Sequence, residues 1–260
     1  MTKEPRLADI TSHLDTQLQC HEFSHLDSAL NGLQVGDPQA PIRSIAAAVD
    51  ASLESLERAT DMAADLLIVH HGIFWGRVEP ISGPLYERLS LLLGKRLALY
   101  AAHLPLDAQM QYGNNIHLAE SLNLQNIHPF GLHKNRAIGC AGEFGQAQSM
   151  DDICNSLEVS PNALRLEFSR KTPTEGIKTV GIVSGAGAFA LEEAAAKGYD
   201  LLLTGEIAYP HYYSAKELGI NVLAMGHYYS ETGGVQRLLN MLQAQWPHLT
   251  THFIDLPIGL

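Results

Sequence analysis

Short apolar runs alternate with amphipathic segments along this chain. An amphipathic pattern over Leu7–Leu18 predicts a first helix. Three apolar runs, Leu66–Val69, Leu97–Ala102 and Val222–Met225, are bounded by turn or polar residues and are typical of short buried strands. Because predicted strands and helices follow one another along the chain, the pattern predicts an α/β fold.

The same order of elements occurs twice. Ile42–Val49 and Ile177–Ser184 share one pattern of apolar and polar positions, with an offset of 135 residues from Ile42 to Ile177. The same offset aligns Asp65-Leu66-Leu67 with Asp200-Leu201-Leu202. Each half therefore has a strand, an Ala-rich helix and an apolar strand, in that order.

This duplication predicts two pseudo-symmetric α/β lobes. We assign residues 1–130 to the first lobe and residues 131–260 to the second. The C-terminal end of the chain could also contribute to the first lobe. The polar segment from His128 to Asp151 is interpreted as their connection. Two halves related by a pseudo-twofold axis bring equivalent loops to a shared cleft, and we expect the functional site there.

Histidines and carboxylates follow the three apolar runs. They are His70, His71, His103, Asp107, His227 and Glu231. The ends of buried strands are where α/β proteins place their chemistry. Residues four apart on a helix lie about 5–6 Å apart, so His103 with Asp107, or His227 with Glu231, is spaced to reach a common metal ion. Imidazole and carboxylate ligands without thiolates favour Zn, Mn, Fe or Ni.

Local context refines these assignments. His70 and His71 are adjacent on a strand and point to opposite faces, so the pair is suited to two neighbouring ions. Pro105 predicts a turn rather than a helix after His103. The helical pattern over Val235–Leu242 places Glu231 near a helix N-terminus.

Glu206 occupies the position of the second half that is equivalent to His71 in the first. This carboxylate could contact the substrate, act as an acid or base, or simply lie next to a helix N-cap. The remaining histidines lack the strand-end context and are interpreted as surface or hydrogen-bonded residues. They are His13, His21, His25, His117, His128, His133, His248 and His252.

Composition and net charge argue against several classes of protein. The 260 residues are 46% hydrophobic and 17% charged, which is typical of a compact globular protein. The formal net charge of −11 argues against a protein that binds duplex DNA or an anionic membrane. Three cysteines without a C-x-x-C arrangement predict free thiols in a reducing compartment. We find no secretory apolar segment and no apolar run of 18 residues, so we expect a cytoplasmic protein.

Several motifs occur in a characteristic order through nearly the whole chain. They are Asn31–Val35, Val69–Gly72, His103–Asp107, Gly113–Asn115, Thr204–Glu206, Gly226–His227 with Glu231–Gly234, and Phe253–Asp255. In these motifs the chain resembles the dinuclear-metal-centre family of type 2 homologues of GTP cyclohydrolase I, also called the NIF-three-like family. The resemblance implies a two-lobed α/β protomer, a toroidal homohexamer and two divalent metal ions in each interlobe cleft.

The resemblance also implies a ligand set. It consists of His70, His71, Asp107, His227 and Glu231. In the family pattern His103 lies near the site without being an assured ligand. Relatives often carry a His or Thr within the segment that reads His227–Glu231 here, which leaves the ligands unchanged and alters the pocket wall.

The function that we hypothesise is a metal-dependent hydrolase acting on a nucleotide-like small molecule. Glu231 would bridge the ions, and His103 or Glu206 would carry protons. The family name points to the imidazole ring of GTP with release of formate, whereas phosphoester hydrolysis would use the same two-metal chemistry. The alternative is a non-catalytic protein that binds or delivers metal or serves as an assembly scaffold. Five or six ligands for two ions leave open positions, which favours the enzyme.

Overall fold

The computed structural model describes residues 4–160, 162–168 and 176–258. Within these ranges the strands are β1 Gly32–Val35, β2 Ser44–Asp50, β3 Leu66–His71, β4 Ala98–Ala101, β5 Gln125–His133, β6 Arg136–Gln148, β7 Leu164–Leu166, β8 Ile177–Val183, β9 Leu201–Thr204, β10 Asn221–Ala224 and β11 Thr250–Phe253. The helices are α1 Leu7–Leu18, α2 Leu53–Asp61, α3 Gly83–Lys95, α4 Leu104–Ala108, α5 Asn114–Ser121, α6 Met150–Ser156, α7 Leu191–Ala196, α8 Pro210–Leu218 and α9 His227–Gln245. Short 3-10 turns cover Cys20–Phe23 and Gly187–Ala190.

The strands form two sheets. The first has the order β1-β4-β3-β2-β11, in which β1 is antiparallel to β4 and the other neighbours are parallel. The second has the order β5-β6-β8-β9-β10-β7, with a parallel centre of β8, β9 and β10 and antiparallel strands on both sides. The predicted α/β fold is therefore confirmed. Parallel neighbours need crossover connections, which the helices between them supply.

The chain divides into two compact units. Unit 1 contains the residues up to Leu106 together with Val235–Leu256, and unit 2 consists mainly of Asp107–Gly234. This division differs from the predicted boundary between residues 130 and 131. Strand β11 pairs with β2, which returns the C-terminal segment to the first sheet. Helix α5 packs its apolar side into the core that includes β8 and β9, so it belongs with the second sheet.

Equivalent positions of the two sheets have the same register. Ile45 pairs with Leu66 in the first sheet, and Val180 pairs with Leu201 in the second, which is the offset of 135 residues seen in the sequence. Asp65 accepts hydrogen bonds from the backbone N–H groups of residues 43 and 44. Asp200 does the same for residues 178 and 179. One carboxylate thus joins the start of each pair of parallel strands.

The segment from His128 to Asp151, interpreted as the connection between the lobes, belongs largely to the second sheet. This segment forms most of an antiparallel hairpin, in which Phe130 pairs with Gly139 and His133 with Arg136. The turn residues Lys134 and Asn135 both have positive φ, 47° and 68°, which is the geometry that matches the twist of a two-residue hairpin. Polar side chains and several glycines on these half-exposed strands hid the alternation that would have revealed them.

The other chain-wide expectations concern thiols and membrane segments. Cys20, Cys140 and Cys154 are free and buried, as predicted. Burial raises the pKa of the Cys140 thiol to about 12. In the described part of the chain, none of the helices combines the length and apolar character needed to cross a membrane.

Candidate metal centre

Three imidazoles of unit 1 lie together at the carboxyl ends of two neighbouring parallel strands. His70 and His71 end β3, and His103 follows β4. The ring centroids are 4.6 Å apart for His70 and His71, 5.1 Å for His70 and His103, and 5.6 Å for His71 and His103. One ring nitrogen from each lies within 4.8 Å of the others. Because β3 and β4 are neighbouring parallel strands, the histidines at their carboxyl ends come together in one cluster.

Each imidazole of this cluster is oriented through its Nδ1 atom. Nδ1 lies 2.8 Å from the Ala102 carbonyl oxygen in His70 and 2.8 Å from an Asp50 oxygen in His71. These acceptors favour the tautomer that carries its proton on Nδ1 and has its lone pair on Nε2. Acceptors of this kind orient histidine ligands in metal sites. The arrangement therefore leaves Nε2 as the ring atom suited to metal binding.

Asp27 orients the third imidazole. Its two oxygens lie 2.9 and 3.1 Å from Nδ1 of His103, and they also accept hydrogen bonds from the N–H groups of Ala29 and Leu104 and from the Asn31 amide. Burial raises the pKa of the Asp27 carboxyl, but the hydrogen bond and charge of His103 outweigh it and lower the pKa to about 2. The Asn31 side chain also accepts the backbone N–H of His103. His103 is thus held at both its ring and its backbone.

Gly72 allows the end of β3 to pack closely. A Cβ atom at this position would lie 2.7 Å from the Cβ of Ala101 and would also collide with the Gln34 side chain. The side-chain amide oxygen of Gln34 accepts a hydrogen bond from the N–H of Ile73 at 2.8 Å. A side chain at position 72 would therefore displace the loop that follows the two histidines.

In unit 2, His227 and Glu231 lie on one face of α9. The predicted helical run Val235–Leu242 lies within α9, which begins earlier, at His227, so Glu231 lies four residues after the start of the helix. The two glycines before Val235 weakened the helical pattern. A Cβ at Gly233 would collide with the His117 ring, so close packing against this ring explains the glycine. The ring atom Nε2 of His227 consequently lies 3.3 Å from Oε1 of Glu231, across one helical turn.

Asp107 belongs to the same donor group. The predicted turn after His103 is a short helix, α4, because Pro105 lies in its first turn, where a missing N–H is tolerated. Oδ1 of Asp107 accepts hydrogen bonds from the Asn114 amide at 2.8 Å and the Ser184 hydroxyl at 2.9 Å. Carboxylate oxygens of Asp107 and Glu231 lie within 4.8 Å of each other.

Positive charge would stabilise the donor group of unit 2. Asp107 and Glu231 are only 7% and 3% exposed, and two carboxylates this close repel each other in a buried environment. The hydrogen bond to Glu231 raises the pKa of His227 to about 9 despite partial burial, and the charges of Glu231 and Glu206 add to the shift. A protonated His227 or a bound cation supplies the missing charge. The donor set fits a divalent metal ion of the type predicted from the sequence.

The predicted residue Glu206 lies beside this group. Its Oε1 is 3.4 Å from Nδ1 of His227, and its side chain is 53% exposed. Gly185, with a φ of +59°, also packs against this group, because a Cβ there would lie 3.2 Å from Nε2 of His227 and would collide with Glu231. Its N–H donates to the Ser230 hydroxyl. The packing of Gly185 against His227 and Glu231 was not predicted from the sequence.

Comparisons with known proteins agree with this arrangement of motifs. The Duf34/NIF3 (NGG1p interacting factor 3) family matches residues 5–257. A protein of Pyrococcus abyssi named "GTP cyclohydrolase 1 type 2 homolog" is 41% identical over 254 residues, which cover 97% of this chain and 98% of the relative. A Deinococcus radiodurans protein with the same name is 41% identical over 234 residues, which cover 90% and 88%.

A solved structure agrees with the fold. The protein TTHA1606 from Thermus thermophilus superimposes with a TM-score of 0.87 at 34% identity, covering 98% of this chain and 100% of that protein. The structural similarity covers nearly the whole length of both chains. The family match likewise covers nearly all of this chain. This chain belongs to the Duf34/NIF3 family.

Proposed function

We propose that this chain is a dinuclear metal-binding protein whose two units supply one centre in the cleft between them. The ligands would be His70, His71, Asp107, His227 and Glu231. The observation that carries the proposal is the orientation of the unit 1 imidazoles by acceptors at Nδ1, which is the arrangement found around bound metals. The close pair of buried carboxylates in unit 2 supports it independently.

We also propose that the two units are pseudo-symmetric copies. The shared register and the equivalent carboxylates Asp65 and Asp200 support this proposal. In such a pair, equivalent strand ends carry related side chains. Under this proposal His103 would be equivalent to His227, and Asp107, the first residue of unit 2, would be the counterpart of Glu231.

The activity that we propose is metal-dependent hydrolysis of a nucleotide-like substrate. A bound pair of divalent ions lowers the pKa of water and polarises substrate oxygens. Glu206 is exposed and faces the Nδ1 side of His227, which suits a group that exchanges protons with solvent. His103 is the other candidate for proton transfer, with its ring held by Asp27. The names of the relatives support a nucleotide substrate as a hypothesis.

Metal stoichiometry tests the centre. The metal-free protein is loaded with Zn, Mn, Fe or Ni, and bound metal is measured by elemental analysis after gel filtration. We expect two ions per chain in the wild type and at most one in His70→Ala or Asp107→Ala. His248→Ala, which removes an exposed histidine, should retain both ions. Unchanged stoichiometry in both ligand variants would refute the ligand set.

The loaded proteins then test the reaction. We expect one member of a nucleotide panel that includes GTP to release formate or phosphate with the wild type, and the release to disappear in a folded Asp107→Ala variant. Two bound ions without turnover on the panel would refute nucleotide hydrolysis and favour metal delivery or a scaffold role. Rapid loss of the ions to a chelator would favour delivery over a scaffold.

We further propose a homo-oligomer, and specifically the toroidal hexamer that the family resemblance implies. Helix α8 supports association because Ala215 is its buried residue, whereas Tyr209, Tyr212 and Tyr213 are exposed. Light scattering coupled to gel filtration should give the mass of six chains. A monomer at micromolar concentration would refute the proposal.

A further inference from the structure

Trp75 is an exposed indole beside the imidazole cluster. The side chain is 38% exposed, and its ring centroid lies 5.1 Å from that of His103 and 6.0 Å from that of His71. Large apolar rings are usually buried because their exposure to water is unfavourable. The exposed part of this indole lies beside the imidazoles, where it is available for contact with a ligand.

The backbone around Trp75 is held in place on both sides. The N–H of Ile73 donates to the Gln34 side chain at 2.8 Å, and the Phe74 carbonyl accepts the N–H of Leu30 at 3.0 Å. Gly76 has a φ of +70°, and a Cβ there would lie 3.0 Å from the Ser28 carbonyl oxygen. These bonds and contacts tie the loop to residues 28–34, so the position of Trp75 is set by the fold.

The indole itself is also oriented. Its Nε1–H donates to the Gly72 carbonyl at 3.0 Å, and its ring meets the His103 ring at an interplanar angle of 74°, an edge contact. An indole fixed in this way loses little conformational entropy when a ligand stacks on it. The bond to Gly72 satisfies the polar atom of the ring.

We propose that Trp75 is a stacking platform for a planar aromatic heterocycle of the purine class, bound next to the His70, His71 and His103 cluster. The proposal rests on the proposed function, because it names the part of the substrate that this cluster would receive. Aromatic rings stack on indole in offset geometry, and purines also carry edge nitrogens and oxygens that suit a metal centre. A purely apolar ligand would cover this imidazole cluster without offering it a polar atom.

Intrinsic fluorescence tests this stacking directly. The chain has two tryptophans, and Trp246 packs against His13 with ring centroids 5.4 Å apart. The variant Trp246→Phe therefore leaves Trp75 as the sole indole. We expect guanosine to quench its fluorescence saturably, while ribose 5-phosphate, which lacks an aromatic ring, does not. Absence of quenching by guanosine in both metal-free and metal-loaded protein would overturn the proposal.

Affinity provides the second readout. Guanosine binding is measured by calorimetry in the otherwise wild-type chain, with folding checked by circular dichroism. Trp75→Leu should raise the Kd about tenfold or more, whereas Trp75→Phe should raise it less because it keeps an aromatic face. Equal Kd values for the wild type and Trp75→Leu would also overturn the proposal.

The two proposals can fail separately. Guanosine that quenches Trp75 in a protein binding no metal would refute the dinuclear centre and support the platform. Two bound ions in a protein whose Trp75 fluorescence does not respond to guanosine would support the centre and refute the platform.

Discussion

The orientation of the three unit 1 imidazoles depends on residues that are distant from them in sequence. His103 is held by Asp27, and His71 is held by Asp50. Neither carboxylate has a sequence pattern that marks it as part of a site. Their effect is nevertheless specific, because a hydrogen bond at Nδ1 determines which ring nitrogen is available to a metal ion.

Replacing Asp50 should weaken metal binding without removing a proposed ligand. Asp50→Asn keeps the size of the side chain but replaces the carboxylate that accepts from His71 with an amide. We expect metal affinity to fall about 10- to 100-fold, as measured by competition with a chelating dye. Asp61→Asn, at the exposed end of α2, serves as the matched control and should bind as the wild type does. Equal affinities in the two variants would show that the orientation of His71 is unimportant for the ions.

His227 should titrate at unusually high pH in the metal-free protein. The hydrogen bond to Glu231 raises the pKa of His227 to about 9. Glu231→Gln should return the pKa towards 6.5, the ordinary value, whereas Glu206→Gln should have the smaller effect because Glu206 contributes less. NMR titration of the His227 ring signals measures both changes. A larger change of the His227 pKa in Glu206→Gln than in Glu231→Gln would contradict Glu231 as the main partner of His227.

The same pKa shift has a consequence for stability. A raised folded-state pKa stabilises the protein fully below the unfolded value near 6.5, and this contribution is lost as the pH rises towards about 9. The free energy of unfolding contributed by His227 should therefore fall across this window in the metal-free protein. Urea denaturation of wild type and Glu231→Gln at pH 6 and pH 9 tests the direction, and an increase with pH would contradict it.

At the scale of elements, a carboxylate secures the start of each pair of central parallel strands. Asp200 accepts two backbone N–H groups and the Thr179 hydroxyl and is 4% exposed. Asp65 accepts two backbone N–H groups and is more exposed. Because buried donors that lose their acceptor are costly, the two positions should differ in their effect on stability.

Asp200→Ala should reduce the free energy of unfolding by about 2–3 kcal/mol, because it leaves buried backbone donors without an acceptor. Asp65→Ala should cost about 1 kcal/mol, because water replaces part of what is lost. Urea denaturation followed by circular dichroism measures both values. A larger loss of unfolding free energy for Asp65→Ala than for Asp200→Ala would contradict this explanation from burial.

At the scale of the whole molecule, each unit has an apolar core of its own, and the three thiols are distributed among buried positions. Cys140 and Cys154 lie in the core cluster of unit 2. Burial raises the pKa of Cys20 to about 11, despite the hydrogen bond with Tyr100. A thiol that is buried and protonated at neutral pH reacts slowly with electrophiles.

Alkylation should therefore report unfolding of the whole chain. At pH 7.5 we expect iodoacetamide to leave the native protein unmodified for hours and to label all three cysteines in urea, as measured by mass spectrometry. The dependence of labelling on urea concentration should follow the circular dichroism transition. Rapid labelling of Cys140 in native protein would show local opening of the unit 2 core.

The elements with strong local patterns were predictable from the sequence. Helix α1 has the predicted bounds of Leu7–Leu18, and the apolar runs are strands. Weak patterns hid the short helix α4, the first turn of α9 and the β5 and β6 hairpin. At these places tertiary packing compensates for a proline, for glycines or for polar strand faces, and a local pattern contains no record of that compensation.

The sequence by itself determined the chemical character of the candidate centre, because residue types and their positions after apolar runs are local facts. It did not identify Asp27, Asp50, Ser184 or Trp75, which come from separate segments. Only the tertiary structure decided which acceptor orients each imidazole and which indole remains exposed beside them. The physical reason is that hydrogen bonds act over about 3 Å in space, whatever the separation of the residues along the chain.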